Sequence, residues 1–537
     1  MGIAPAEAPP RARQMTTLWL ALLALSILGA LPRLAAVRFN IWPHGDVLLD
    51  AAIAESLAWT GRLLVPIVDV RYYPTSQFGF GYPPDQHPPL WPLLGASLTP
   101  LLGDGYLALK AWSFTVGVLV IPLSFLAFRP SLGNGAALWL AGLVASTYLL
   151  IDFSGNGSLW ILITAFYLLF IWRASAAPIT LAFHAAELGI IIGLAFLVNY
   201  PAVILAPALL LTVALQHGRG ALAWPVLRGV LIASIAAFLV VLPWFAFNAS
   251  IHGNPLWSQP LERQFGGGAK QVDVRVVQDE VVKVNRPEAA SPGARLQTTA
   301  ANLYGNVGFL ARQMLALAPV LNGFAAAALV ALTLAFIGRG SIATGVQARS
   351  LAPIVAVLLC HAALALLWPT TKFRYLVPLL PLVLGLGVWL LSQIEPRPVR
   401  TLLRGVSTAA VVIVSAWTWL VIPSHTYYYN GGVVTDNFGQ QGETVWMTEA
   451  RQVARAAEII RDRGPGTILG DHLFYALARQ PIVINSAAYP RDVLETLVAR
   501  YQVRYVWLEQ GRLDETRQWL GGTLLHEDGR FALLELR

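Results

Sequence analysis

The feature that most constrains this chain is a series of apolar runs, each close to twenty residues long, that continues to about residue 423. A bilayer's hydrocarbon core takes about 20 apolar residues of helix. No backbone polar group can stay unpaired there, so a chain of this kind must fold as a bundle of spanning helices. Reading along the sequence gives eleven candidate spans, near 15–37, 105–128, 134–151, 157–172, 178–198, 201–216, 224–247, 308–337, 350–368, 373–392 and 402–423. The composition agrees, with 56% hydrophobic and only 12% charged residues, where soluble domains carry about 25% charged residues. Asn199-Tyr200-Pro201 divides the fifth span from the sixth, and Pro201 suits the first turn of a new helix. Arg11 and Arg13 before the first run imitate a signal peptide; the run is read here as a retained helix.

The formal charge of +8 does not point to nucleic acid. There is no basic stripe with interleaved aromatics. Arg residues stand singly or in pairs between apolar runs: Arg129, Arg173, Arg219 with Arg228, Arg339 with Arg349, and Arg397, Arg400 and Arg404. Placing the N-terminus in the cytoplasm puts all of these on the inner side, as the positive-inside rule requires. The outer side then receives loop 38–104, the segment Asp152-Phe153-Ser154-Gly155-Asn156, loop 248–307 and the C-terminal tail. A single cysteine, Cys360, allows no disulfide within the chain.

Loop 38–104 is unusually rich in Asp, Tyr, Pro and Gly for a protein that is otherwise compatible with lipid. Asp46 to Trp59 has apolar residues at helical spacing and reads as an amphipathic interfacial helix, ended by Gly61. Pro88-Pro89 opens a second such helix, closed by Gly103-Asp104-Gly105. Loop 248–307 reads as a mobile polar segment. From about residue 424 the composition becomes that of a soluble domain. A helix near 444–463, strands near 467–470, 481–484, 503–508 and 531–536, and a helix near 490–501 predict a small α/β domain. The expected division is thus a transmembrane domain, 1–423, and an extracytoplasmic α/β domain, 424–537.

Four segments in this order resemble the GT-C superfamily of polyprenyl-phosphate-sugar-dependent glycosyltransferases, in the style of bacterial relatives of protein mannosyltransferases and lipid A aminoarabinose transferases. They are Gly45-Asp46 opening a helix after the first span, His87-Pro88-Pro89-Leu90 before the second, Gly193 to Pro201, and Arg374 to Pro381. The resemblance covers about residues 15–400. It implies a GT-C fold of about eleven transmembrane helices, a lipid-phosphate-linked sugar donor entering from the bilayer, and a lipid, glycan or protein acceptor of the envelope. It also implies a catalytic base at Asp46 and, from the second outer loop, a further acidic residue at Asp152. The chain departs from the family pattern at Val47, where many relatives have Glu, and at His87, where many have Lys.

Each of these residues also has a plainer reading. Asp46 can cap its helix, since Asp is a favoured N-cap, and Asp152 can cap a helix starting near Gly157. Asp50 is a reserve carboxylate, and Glu55 reads as a solvated face residue. Lys372 and Arg374 sit on the side where cations are disfavoured, which suits a phosphate, although snorkelling to headgroups uses the same residue types. His87 is a third phosphate contact, Asp85 a substrate contact, and Tyr72, Tyr73, Tyr82 and Tyr375 are candidates to meet sugar. No spacing marks a metal site; a divalent cation at Asp46 and Asp152 remains compatible with the residue types.

The reading that combines these features is an inverting glycosyltransferase on the outer face of the cytoplasmic membrane. A flippase for lipid-linked sugars would need buried mid-membrane charges and repeat symmetry, neither of which is visible. A scaffold would have no use for the polar first loop.

Overall fold

A computed structural model of the protein describes residues 10–40, 45–69, 80–84, 87–258, 273–277, 280–284, 345–367, 373–392, 397–421, 445–485 and 489–536. Among them, five helices are long and apolar enough to cross a membrane: Met15–Arg38, Gly105–Ser146, Tyr200–Leu222, Trp224–His252 and Arg374–Ser392. Shorter apolar helices lie at Trp160–Ala176, Ala182–Val198 and Ser350–Leu366, and a further helix runs Arg397–Val421. The expected span at 308–337 lies outside the described residues. Leu20, Leu23, Ile27, Leu31 and Leu34 are all exposed. At this three-and-four spacing they form one apolar face, as on a helix that meets lipid. Leu231, Ile235, Phe238 and Leu242 form another. The protein is a multi-pass membrane protein.

The helix Gly105–Ser146 is 42 residues long, or roughly 60 Å at about 1.5 Å per residue, twice what a bilayer core needs. Gly133 interrupts it at φ 73° and ψ 171°, a conformation that glycine adopts without a Cβ clash. A Cβ on Gly29 would lie 2.5 Å from Ile121 and 3.1 Å from Ala145. Two residues so far apart along the helix reach one point only if its halves run antiparallel. They are the two spans expected at 105–128 and 134–151. The break expected before Pro201 is also present: Asn199 is extended, and a 3₁₀ turn, Tyr200–Ile204, leads into the helix Leu205–His217.

The chain forms two compact units that are not its linear halves. One comprises residues 1–40, 110–243 and 299–441; the other gathers 41–109, 244–298 and 442–537. In the second unit the loop between the first helix and the helix Gly105–Ser146 is built into the C-terminal α/β domain. Its six-stranded sheet has the order β1-β5-β4-β6-β8-β7, where β1 is Ile67–Val68, β4 Thr467–Gly470, β5 Ile482–Ile484, β6 Val503–Glu509, β7 Thr523–Asp528 and β8 Phe531–Glu535. Strands β1, β5, β4 and β6 are parallel, and β8 and β7 close the edge antiparallel. Four strands were expected; β1 and β7 complete the sheet.

Successive strand residues point to opposite faces, and each face has its own core. Ile468, Ile482, Tyr505 and Trp507 pack with Ala457 and Ile460 of the helix Val445–Arg463 and with Leu48, Leu49 and Ile53 of the helix Gly45–Thr60. Leu469, Val483, Val506 and Leu534 pack on the other face with Val493 and Leu497 of the helix Arg491–Tyr501. The helix Gly45–Thr60 is therefore not an amphipathic surface helix: Val47 through Ala54 are buried all round. Part of loop 248–307 is also ordered. Asp273–Val277 and Glu280–Val284, strands β2 and β3, form an antiparallel hairpin whose Val281 enters the second core.

Candidate active-site residues

In the unit that holds the α/β domain, Asp46 lies in the first turn of its helix, one residue inside the start at Gly45. It is half-exposed and sits where the helix macrodipole favours negative charge, so its place is not the N-cap. One turn on, and hence on the same face, Asp50 is buried and its Oδ1 lies 3.2 Å from His87 Nδ1. His87 is thus held by a carboxylate one turn from Asp46, and Asp50 serves His87.

The other end of this helix is tied down through Glu55. Its carboxylate accepts from the Gly105 amide at 2.9 Å and from the Tyr475 hydroxyl. Arg479 pairs with the neighbouring Asp104 at 3.3 Å. Burial pushes the Glu55 carboxyl above its ordinary range, against the opposing effects of the Gly105 amide, Arg479 and Tyr475. Glu55 is a docking residue and not a solvated one.

Tyr82 corrects an expectation. It pairs with Val65 by reciprocal backbone bonds of 2.7 and 3.0 Å and is 2% exposed within the core that contains Leu48 and Ile67. No ring face is left for a sugar. Asp85, Tyr72, Tyr73 and Lys372 lie outside the described residues.

In the other unit, Asp152 is fully buried in the short helix Tyr148–Phe153, beyond the end of the preceding span at Ser146. The span stops because Thr147 is extended at ψ 117°, which strands the last helix carbonyls. Arg33, buried on the first helix, supplies their donors: Nη1 donates to Ala145 O at 2.9 Å and Nη2 to Val144 O at 3.2 Å. The turn after Asp152 is pressed onto the end of the first helix, where a Cβ on Gly155 would collide with Ala36 and Val37. Ser113 holds the turn from the other side, donating to Ser154 O at 3.1 Å and accepting from Gly157 N at 3.2 Å.

The Asp152 carboxylate faces the chain end of the first helix. Asn40 Nδ2 donates to Oδ1 at 3.3 Å, and Lys110 Nζ donates to the Asn40 carbonyl at 2.9 Å. Asp152 Oδ2 has no hydrogen-bond partner although it is buried, and the same holds for Asn156 Nδ2. Burial raises the Asp152 carboxyl to about 7, with the Asn40 bond opposing the rise. The helix it was expected to cap starts instead at Trp160, after Leu159, with no side-chain cap. A buried carboxyl near 7 with one open oxygen can take a proton or a hydrogen bond close to neutral pH.

Arg374 is half-buried in the 3₁₀ segment Phe373–Leu379, which precedes the helix Leu380–Ser392. Tyr375 is no sugar platform: its ring is buried edge-on against Trp160, with centroids 4.7 Å apart. The sequence reading also missed His361. It is fully buried and lies between Tyr167, with the hydroxyl 2.8 Å from Nδ1, and the Tyr375 carbonyl, 2.7 Å from Nε2. Among the described residues no group of three or more His, Cys, Asp or Glu side chains is placed to hold a metal ion.

No protein-family model and no curated protein matches the chain in sequence. Solved structures do match in shape. ArnT from Cupriavidus metallidurans bound to undecaprenyl phosphate is similar with a TM-score of 0.58 and 12% identity, over 96% of this chain and 97% of that one. The Archaeoglobus fulgidus oligosaccharyltransferase in its apo form is similar with a TM-score of 0.53 and 13% identity, over 93% of this chain and 71% of that one. At such identities the likeness establishes the fold. The chain has the GT-C fold expected from its four motifs, with a small C-terminal sheet domain.

Proposed function

We propose that the protein is an inverting glycosyltransferase that moves a monosaccharide from a polyprenyl-phosphate donor to a lipid, glycan or protein acceptor of the cell envelope. The reaction takes place on the outer face of the cytoplasmic membrane, with the N-terminus inside and the α/β domain outside. The observation that carries this reading is the match over nearly the whole of both chains to a structure with undecaprenyl phosphate bound.

In this reading Asp46 takes the proton of the acceptor hydroxyl as its oxygen attacks the anomeric carbon. The bond from that carbon to the phosphate oxygen breaks, and the polyprenyl phosphate leaves. Arg374, together with Lys372, holds the phosphate and stabilises the charge that develops on it. Asp50, one helical turn from the base, holds the His87 imidazole. Asp152 works as a second carboxylate in its ionised form, through the oxygen that has no protein partner. A single displacement inverts the anomeric centre and needs no carboxylate nucleophile, unlike retaining hydrolysis.

The test is transfer of radiolabelled sugar from undecaprenyl-phosphate donors to envelope acceptors, in membranes holding equal amounts of wild type, Asp46→Asn or Arg374→Ala. Asp46→Asn is expected to lose at least about 100-fold in transfer while still binding donor. Undiminished transfer in both variants would overturn the reading.

A further inference from the structure

We infer that His361 is the positioning residue for Arg374, and so for recognition of the donor phosphate; this rests on the assignment of Arg374 proposed above. Pro378 shapes the backbone beside Arg374. In the 3₁₀ pattern each carbonyl accepts from the amide three residues on. The residue three beyond Tyr375 in the segment Phe373–Leu379 is Pro378, which has no N–H. The Tyr375 carbonyl therefore loses its regular partner in a buried place, where an unmet acceptor is costly.

His361 supplies a donor from another helix, Gly345–Leu367, with Nε2 2.7 Å from Tyr375 O. A carbonyl only accepts, so Nε2 carries the hydrogen. In the neutral ring Nδ1 is then an acceptor, and the Tyr167 hydroxyl donates to it at 2.8 Å. Tyr167 sits on the helix Trp160–Ala176, which also provides the Trp160 edge against the Tyr375 ring. Both the carbonyl and the ring of Tyr375 are thus fixed by buried groups, while Arg374, the adjoining residue, is half-exposed. A rigid neighbour fixes the backbone from which the Arg374 guanidinium reaches, as a supporting shell does for a binding group.

Two amide substitutions separate this role from simple core packing. His361→Gln places its amide nitrogen near the Nε2 position and keeps a donor for Tyr375. His361→Asn places its amide near Nδ1, keeps a partner for Tyr167 and leaves the Tyr375 carbonyl unmet. The full-length protein in nanodiscs is titrated with undecaprenyl phosphate, and KM for the donor and kcat are read separately with a transferable sugar.

Arg374→Ala should weaken undecaprenyl phosphate binding at least about 10-fold, and His361→Asn by about 10-fold, the loss expected for an orphaned buried acceptor. His361→Asn should raise KM with kcat little changed, and His361→Gln should stay within about 3-fold of wild type on the same grounds. Equal behaviour of the Asn and Gln variants, with Arg374→Ala impaired, would overturn the role of His361 and leave the phosphate assignment standing. Unimpaired binding in Arg374→Ala would remove both.

Discussion

Asp46 and Asp152 are both acidic residues at the end of an apolar element, yet the protein holds them by opposite means. Asp46 is half-exposed at a helix N-terminus, where the backbone itself favours its charge. Its helix is gripped farther along by Leu48, Leu49 and Ile53 in the core of the α/β domain. Asp152 is fully buried, bonded to Asn40 through one oxygen, and its carboxyl is raised by burial to about 7. Under the proposed function, environments this different would give the two carboxylates different roles. The Asp46 position leaves the carboxylate open to a partner from outside the protein. The Asp152 position suits a group whose charge comes and goes near neutral pH.

The sharpest way to break this contrast is through pH. Transfer by wild type should rise as pH increases through about 7, where Asp152 ionises. In Asp152→Asn that rise should vanish and the plateau fall by about 10-fold, less than the loss of about 100-fold or more expected at Asp46. Stability should move in the other direction. The folded state keeps the Asp152 proton up to about 7, whereas the unfolded chain releases it near 4. Stability from this group is therefore full below about 4, falls as pH rises towards 7, and is flat above. Thermal unfolding in detergent should show Asp152→Asn gaining on wild type between those limits. A transfer profile unchanged in Asp152→Asn would remove the charge-switching role.

How much of this could be read in the sequence follows from the range of the interactions involved. The apolar spans, the breaks at Asn199 and near Gly133, and most elements of the tail follow from local periodicity and turn residues. Strand β1 does not: two residues become a strand only because Ile67 and Val68 meet Ile482 and Val483. The hairpin at 273–284 was visible as alternation in Asp273-Val274-Arg275-Val276, but lay inside a polar loop that masked it. Asp46, Asp152 and Arg374 were singled out by residue type and place. Tyr82 and Tyr375 were misjudged because exposure cannot be read from an aromatic at an interface. His361 had one cue, Pro378 three residues after Tyr375, which matters only once a histidine on another helix is known to reach that carbonyl.

The second test concerns what holds Asp152 in place. Arg33→Met would keep much of the side-chain volume and remove the donors to Val144 and Ala145. With two buried carbonyls left unmet, the expected cost is about 3 kcal/mol, seen as a clear fall in the unfolding midpoint in detergent. Gly155→Ala should cost about 2 kcal/mol by overpacking, because its Cβ would meet Ala36 and the Val37 backbone. Both positions belong to the unit that does not hold Asp46, so donor-independent measures of the α/β domain, such as its protease resistance, should not change. If they do, the two carboxylates are not supported independently.

The smallest expected effect lies at the far end of the Asp46 helix. Tyr475→Phe removes the hydroxyl that donates to Glu55 and leaves the apolar packing of the ring intact. One such hydrogen bond is worth about 1 kcal/mol, and it is stronger when its acceptor is ionised. The Tyr475 bond acts to lower the Glu55 pKa while burial raises it. Its contribution to stability is therefore present when Glu55 is charged and is lost as pH falls through the Glu55 titration. Wild type and Tyr475→Phe should differ in unfolding midpoint near pH 8 and converge in acid. The Gly105 amide still holds Glu55 in the variant, so the helix keeps its place and transfer should fall by less than about 3-fold, below the full value of one hydrogen bond. A much larger loss of transfer would mean that the position of Asp46 depends on this single hydroxyl. Support for the Asp46 helix would then come from one polar contact and not from the packed core.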